Sequence, residues 1–325
     1  MPRSITTPMT TQLKPPRTIP QHIETLRSRG MSVDDDLATQ WLTYVSYYRL
    51  SSYWYPARHL DSSGHRDDTF IDGTSFTDAV HLYEADRKLR TLVFDGMERI
   101  EVAMRTHLID QLCAHDPLAY TIPSLDQFRP TFDHAGWMNR AKSRVNRAKD
   151  NNAAIKHYSI IYGDRYPLWV LAEALYFADI SLLYAGLRTR YQRKIAEALD
   201  IHINMETLSR SQRDKAKKHS PLAACVHQLT IVRNICAHHG RLWNSSLIPI
   251  STTALRTDPR LTRLPQGESR RSFGAMIIMA HLLRTICPGT TWPQQVTALL
   301  NTAFLPNPLV EPDSLGIPTS GNATL

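Results

Sequence analysis

The chain is short of cysteine and glycine and has no apolar run of membrane-spanning length free of charge, and each shortage removes a class of protein. Its four cysteines, Cys113, Cys225, Cys236 and Cys287, fall at no paired spacing. That excludes a zinc framework and a disulfide scaffold and favours a reducing cytosol. With only 13 glycines in 325 residues, there is no glycine-rich phosphate loop, and no cluster of acids is spaced to hold magnesium. No internal repeat is present. The most apolar stretches are Pro167 to Leu187, interrupted by Glu173 and Asp179, and Phe273 to Cys287, which carries His281 and Arg284 and is too short to cross a bilayer. Both read as core helices, with no membrane partner and a cytoplasmic location. The opening MPRSITTPMTTQLKPPRT lacks the apolar core of a secretory signal.

What remains is a basic chain with ample material for a core. Its formal charge of +8 and pI near 9.4 lean toward polyanionic partners. Strand signals are few, and apolar residues recur mainly at steps of three and four, which predicts an all-α protein. Residues 1–19 are polar and proline-rich and read as a mobile arm, 20–303 as one helical domain, and 304–325 as a flexible tail. Additional helices are expected near Pro20 to Arg29 and from Asp34, the latter with Leu37, Trp41, Val45 and Tyr48 on one face. Arg58 to Thr74 reads as a loop or small hairpin. Ser75, with Asp78 completing a capping box, starts a long helix with an expected bend at Gly96. Asn204 is expected to cap a helix running into Arg210 to Lys218.

The stretch Ser220 to Asn244, SPLAACVHQLTIVRNICAHHGRLWN, organises the functional reading. Ser220 is a natural N-cap and Pro221 suits the first helical position. Leu222, Cys225, Leu229, Val232 and Cys236 write one buried face. The opposite stripe holds His227, Ile231, Asn234, His238 and Arg241, so Asn234 and His238 lie one turn apart. Arg233 stands beside them, and Gly240 is expected to end the helix. Arginine offers a planar fork of donors to phosphate oxygens, and histidine moves protons near neutral pH. Spacing by itself is cheap: Arg17/His22, Arg58/His65, Arg129/His134 and Arg213/His219 match it too. The competing reading makes His238 and His239 ordinary partly buried histidines, and His239 falls on the apolar side.

Other candidates are supporting ones. Glu101 and Arg105 are one turn apart, either part of a site or a surface ion pair. Arg140, Arg144 and Arg147 share a helix face, either an RNA-backbone track or a solvated stripe. The aromatic run YYRLSSYWYP, Tyr47 to Tyr55, could stack on exposed bases or pack between helices.

Four segments together resemble the Abi-like family, the AbiD/AbiF group of abortive-infection proteins in the HEPN superfamily. They are YYRLSSYWYP near Tyr47, LYEADRKLRTLVFDGMERIEVAMRT from Leu82, YPLWVLAEALYFADISLLYAGL from Tyr166 and RNICAHHGRLWN from Arg233. The resemblance implies a HEPN-like helical bundle and a metal-independent ribonuclease with no cofactor. Its Arg-x-x-x-x-His motif falls on Arg233 and His238 as the catalytic pair, with Asn234 as polar neighbour. The family's Glu-x-x-x-Lys/Arg element falls on Glu101 and Arg105. Arg241 and His239, with the arginines at 140, 144 and 147, would bind RNA or support the site. One departure is Ala178 and Asp179 after Phe177, where a glycine is common.

The resemblance further implies a homodimer with a composite site, an antiviral effector role of toxin–antitoxin type, and a structured non-coding RNA as neutralising partner. RNA brings its own nucleophile, the 2′-hydroxyl, so such an enzyme needs to move protons and hold negative charge. The alternative function is an RNA-binding module that uses the same basic surface without cutting. A third is an effector that recognises a phage protein through a loop such as Arg58 to Thr74.

Overall fold

A computed structural model of the protein describes residues 15–318 and 323–325. The predicted all-α class is found: the chain is built from helices, with two short antiparallel strand pairs. Among the described residues no helix is long and apolar enough to cross a membrane. The chain forms two compact units, one reaching Tyr83 and including Asn307–Leu309, the other holding Glu84–Pro306 and Val310–Leu325. Of the expected arm, residues 1–14 lie outside the described residues, as do 319–322 of the expected tail.

In the first unit, α1 (Ile19–Ser28) begins with a capping box between Thr18 and Gln21, and α2 (Asp35–Tyr44) is capped by the Asp34 carboxylate. The expected face of α2 is turned: Ala38 and Leu42 are its buried residues. The helix stops at Val45 and a new one, α3 (Tyr47–Trp54), starts at the Ser46 cap. Tyr48 therefore belongs to a different helix from Trp41. The aromatic run divides accordingly. Tyr53 and Trp54 enter the core, Tyr47 stacks on His22 at 4.2 Å, and Tyr48 and Tyr55 stay exposed. Arg58 to Thr74 contains the hairpin, with β1 (Arg58–Leu60) paired to β2 (Arg66–Phe70).

Of the 38-residue helix α4 (Phe76–Cys113), the part from Glu84 onward belongs to the second unit. The helix runs without interruption through Gly96. The glycine serves a close approach: a Cβ there would lie 2.7 Å from Trp292 Nε1 and 2.9 Å from Leu283 Cδ1. The same Trp292 Nε1–H donates to the Leu92 carbonyl at 2.6 Å. Gly96→Ala gains up to about 1 kcal/mol of helix propensity but overpacks the contact, which typically costs about 1–3 kcal/mol. A net loss of stability is expected in a urea melt, and an unchanged or higher midpoint would show that Trp292 yields freely.

The helices α5 (His134–Ala148), α6 (Ala153–Tyr162), α7 (Leu168–Ala174), α8 (Phe177–Gly186) and α9 (Thr189–Ala198) follow. Where one helix was expected over Pro167–Leu187, the chain breaks into α7 and α8 with Leu175 and Tyr176 extended. Asn204 caps a short 3-10 turn, Met205–Thr207, and α10 (Arg210–Lys218) starts afresh on a Ser209/Gln212 capping box. Next come α11 (Pro221–Ala237), β3 (Ile250–Ser251) paired with β4 (Glu268–Ser269), and α12 (Ser272–Ile286). The stretch Ser272–Leu283 of α12 is buried on every side, and α11 packs against it and against α8. A shorter helix, α13 (Trp292–Leu299), continues as a π-helical turn to Phe304, and α14 (Pro312–Leu315) is the last. Val310, Leu315, Ile317 and Ala323 are buried within the 304–325 segment.

Candidate functional site

Helix α11 carries the Arg-Asn-x-x-x-His array, and its sequence fixes which groups reach solvent. Leu222, Cys225, Leu229, Val232 and Cys236 are buried, and His227, Asn234 and His238 are exposed on the opposite side. Burial pushes the Cys225 and Cys236 thiols up to about 12 each. Ser220 occupies the N-cap position but makes no capping bond with its side chain. Its hydroxyl lies 3.4 Å from the Tyr184 hydroxyl instead.

The end of α11 differs from expectation. The left-handed residue is His239, at φ 56°, not Gly240. The His239 N–H donates to the Cys236 carbonyl at 3.1 Å and the Gly240 N–H to the Ile235 carbonyl at 2.8 Å. These are the two bonds of a Schellman turn, which satisfy carbonyls the helix leaves unpaired. A histidine in this conformation costs on the order of 1 kcal/mol, sustained by those bonds. Because the helix has ended, His239 escapes the helical periodicity that put it on the apolar side and is exposed. Gly240 is still needed, since a Cβ there would sit 3.3 Å from the Ile235 carbonyl oxygen. Arg241, beyond the turn, lies over the Trp243 ring at 5.4 Å and is half-buried.

The chain after this turn is held by a pair that the sequence reading did not single out. Asp86 is fully buried and bonds Arg90, itself 5% exposed. The Asp86 carboxylate also accepts the Trp243 N–H at 2.8 Å and the Leu242 N–H at 3.3 Å. A signal existed: Asp86 and Arg90 lie on the apolar stripe of Leu82, Leu89 and Val93, where an unpaired charge would be costly.

Arg233 is the member of the array that meets a second helix. Its Nε lies 3.7 Å from Glu101 Oε2, and its guanidinium carbon 5.6 Å from the Phe94 ring centroid. Glu101, 9% exposed, gives its other oxygen to Arg105 at 2.6 Å. Arg105 also donates to the Leu175 carbonyl at 3.0 Å, in the break between α7 and α8. So Glu101 and Arg105 form a largely buried, shared network rather than an exposed surface pair. The structure brings together Glu101, Arg105 and Arg233. Asn234 and His238 are exposed along the same helix.

A family model described as Abi-like protein matches residues 40–244, more than half of the chain, from before the aromatic run to the end of the array segment. The chain belongs to the Abi-like family. No curated protein and no solved structure matches it. Within the matched span of this Abi-like protein lie Asp86, Glu101, Arg105, Arg233 and His238.

The basic helix α5 of the Abi-like protein splits its three arginines. Arg140 and Arg147 are exposed, and Arg147 donates to Ser143 Oγ at 3.3 Å. Arg144 turns to α8, where its Nε donates to the buried Asp179 carboxylate at 2.8 Å. That bond raises the Arg144 pKa. Asp179 also accepts the Tyr176 N–H at 3.1 Å. The departure at Ala178 and Asp179 thus has a structural use: the carboxylate caps α8 and holds Arg144. Among the described residues no group of three or more His, Cys, Asp or Glu is placed to hold a metal ion.

Proposed function

We propose that this Abi-like protein is a metal-independent RNA endonuclease of the HEPN type, acting in abortive-infection defence. The observation that carries the reading is the position of Arg233, held 3.7 Å from a Glu101 carboxylate that Arg105 grips from its other side. An ordinary solvated helix face has no such support from a second helix. In the proposed reaction the 2′-hydroxyl attacks the adjacent phosphorus, which yields a 2′,3′-cyclic phosphate and a 5′-hydroxyl. Arg233 holds the non-bridging oxygens as their charge grows, with Glu101 and Arg105 positioning its guanidinium. His238 moves the proton, and Asn234 orients the histidine or the phosphate.

One histidine per array serves one of the two proton transfers. A homodimer that joins two arrays supplies the other. Basic side chains such as Arg140 and Arg147, exposed on α5, give the protein an RNA-facing charge. They would also suit a structured RNA as neutralising partner.

The test is incubation of the purified protein, stripped of nucleic acid, with end-labelled bacterial RNA in excess EDTA. Fragments bearing cyclic-phosphate and 5′-hydroxyl ends are expected. Binding without cutting would replace this reading with that of an RNA-binding module.

A further inference from the structure

One residue past the Leu175 carbonyl that Arg105 bonds stands an aromatic ring packed against a cation and half open to solvent. Tyr176 is 52% exposed, yet the Arg144 guanidinium carbon lies only 3.8 Å from its ring centroid. One face of the ring is therefore covered by a cation, while half of the residue stays open to solvent. Arg144 is itself fixed by the buried Asp179, which also takes the Tyr176 backbone N–H. Ring, cation and backbone thus share one buried anchor. The preceding residue, Leu175, is tied through its carbonyl to Arg105, and through Arg105 to Glu101 and Arg233. Tyr176 thus directly follows the residue that Arg105 bonds, and Arg105 and Arg233 share the Glu101 carboxylate.

We propose that the open face of Tyr176 stacks an unpaired RNA base next to the phosphate held by Arg233, so that the substrate is single-stranded or looped RNA. This rests on the nuclease reading and adds to it a substrate class and a residue that sets it. Every base has a π-face, whereas a base inside a duplex has both faces taken by its neighbours. A rigid ring loses little conformational freedom on binding, and the cation behind it strengthens its pull on a polarisable base. The charge held at the ring is of the matching sign: the Arg144 guanidinium lies against it.

The test uses the full chain carrying His238→Ala, so that binding is read without cutting, and fluorescein-labelled 12-nucleotide RNA, single-stranded or annealed to its complement. Anisotropy titrations compare this protein with added Tyr176→Ala, Tyr176→Leu or Tyr176→Phe. Loss of one base stack corresponds to roughly tenfold weaker binding. That loss is expected for alanine and for leucine, which keeps apolar bulk without a π-face, with the single strand only. Phenylalanine should retain affinity, and duplex binding should be equal in all four proteins. Unchanged single-strand affinity in the leucine variant overturns the role of Tyr176 while leaving the nuclease reading in place. A leucine variant whose sedimentation shows a lost dimer, with RNA binding intact, overturns it in favour of a second copy covering the ring. Failure of the parent protein to bind either RNA, with no cutting by the wild type, removes both proposals together.

Discussion

Alanine at His238 is expected to slow RNA cleavage by about 10²–10⁴-fold, the range typical of a lost general acid or base. The magnitude is readable because the side chain is exposed and follows the last residue of α11. A surface substitution of this kind changes stability by no more than about 0.5 kcal/mol, so slower cleavage cannot be blamed on unfolding. RNA affinity should change little, since in the proposed mechanism Arg233 holds the phosphate. Single-turnover cleavage of a labelled RNA in EDTA, with a thermal melt of each protein, makes the comparison. Asn234→Ala should have a smaller effect, because the role proposed for its amide is to orient, not to transfer a proton. Equal cleavage by wild type and His238→Ala would move the chemistry elsewhere in the chain.

The second large effect is expected at Asp86, far in sequence from the array. Alanine there removes the buried carboxylate that Arg90 and the Leu242 and Trp243 N–H groups bond. Breaking a buried pair from one side costs about 3–5 kcal/mol, a large share of the roughly 5–15 kcal/mol that holds a domain folded. A fall in Tm of roughly 10 °C follows for a unit of this size. Asp86→Asn should lose less, because one amide oxygen can still accept from Trp243. The double variant Asp86→Leu/Arg90→Met should recover part of the loss, because neither charge is then left buried alone. Equal melting of Asp86→Ala and wild type would mean that the loop after α11 is held by other contacts.

The contrast between these two residues shows what the sequence disclosed. His238 was legible because a cap, a proline and a run of apolar residues at three and four spacings set the phase of α11, and phase alone fixes which side chains are exposed. That logic fails one residue later, where His239 takes a left-handed backbone that its residue type does not advertise. It also fails in the Pro167–Leu187 segment. Nothing between Pro167 and Leu187 breaks a helix by propensity. The break is made by Arg105, which takes the Leu175 carbonyl, and by Asp179, which takes the Tyr176 N–H. Such long-range partners have no local signature. Glu101 and Arg105 show the intermediate case: their one-turn spacing is plain, but their burial depends on α11 and the α7–α8 break. Asp86 was visible as a charge on an apolar stripe, and what it holds is visible only in the fold.

Cys236 places a slow chemical clock two residues before His238. Its thiol is buried and hard to ionise, whereas Cys113 and Cys287 are partly accessible. A thiol reagent should therefore modify the latter two first, with Cys113 slowed by the burial that pushes its thiol pKa up, and reach Cys236 only when the end of α11 opens. The modification rate at that one sulfur measures how often the candidate site comes apart, with no substrate and no assay of cleavage.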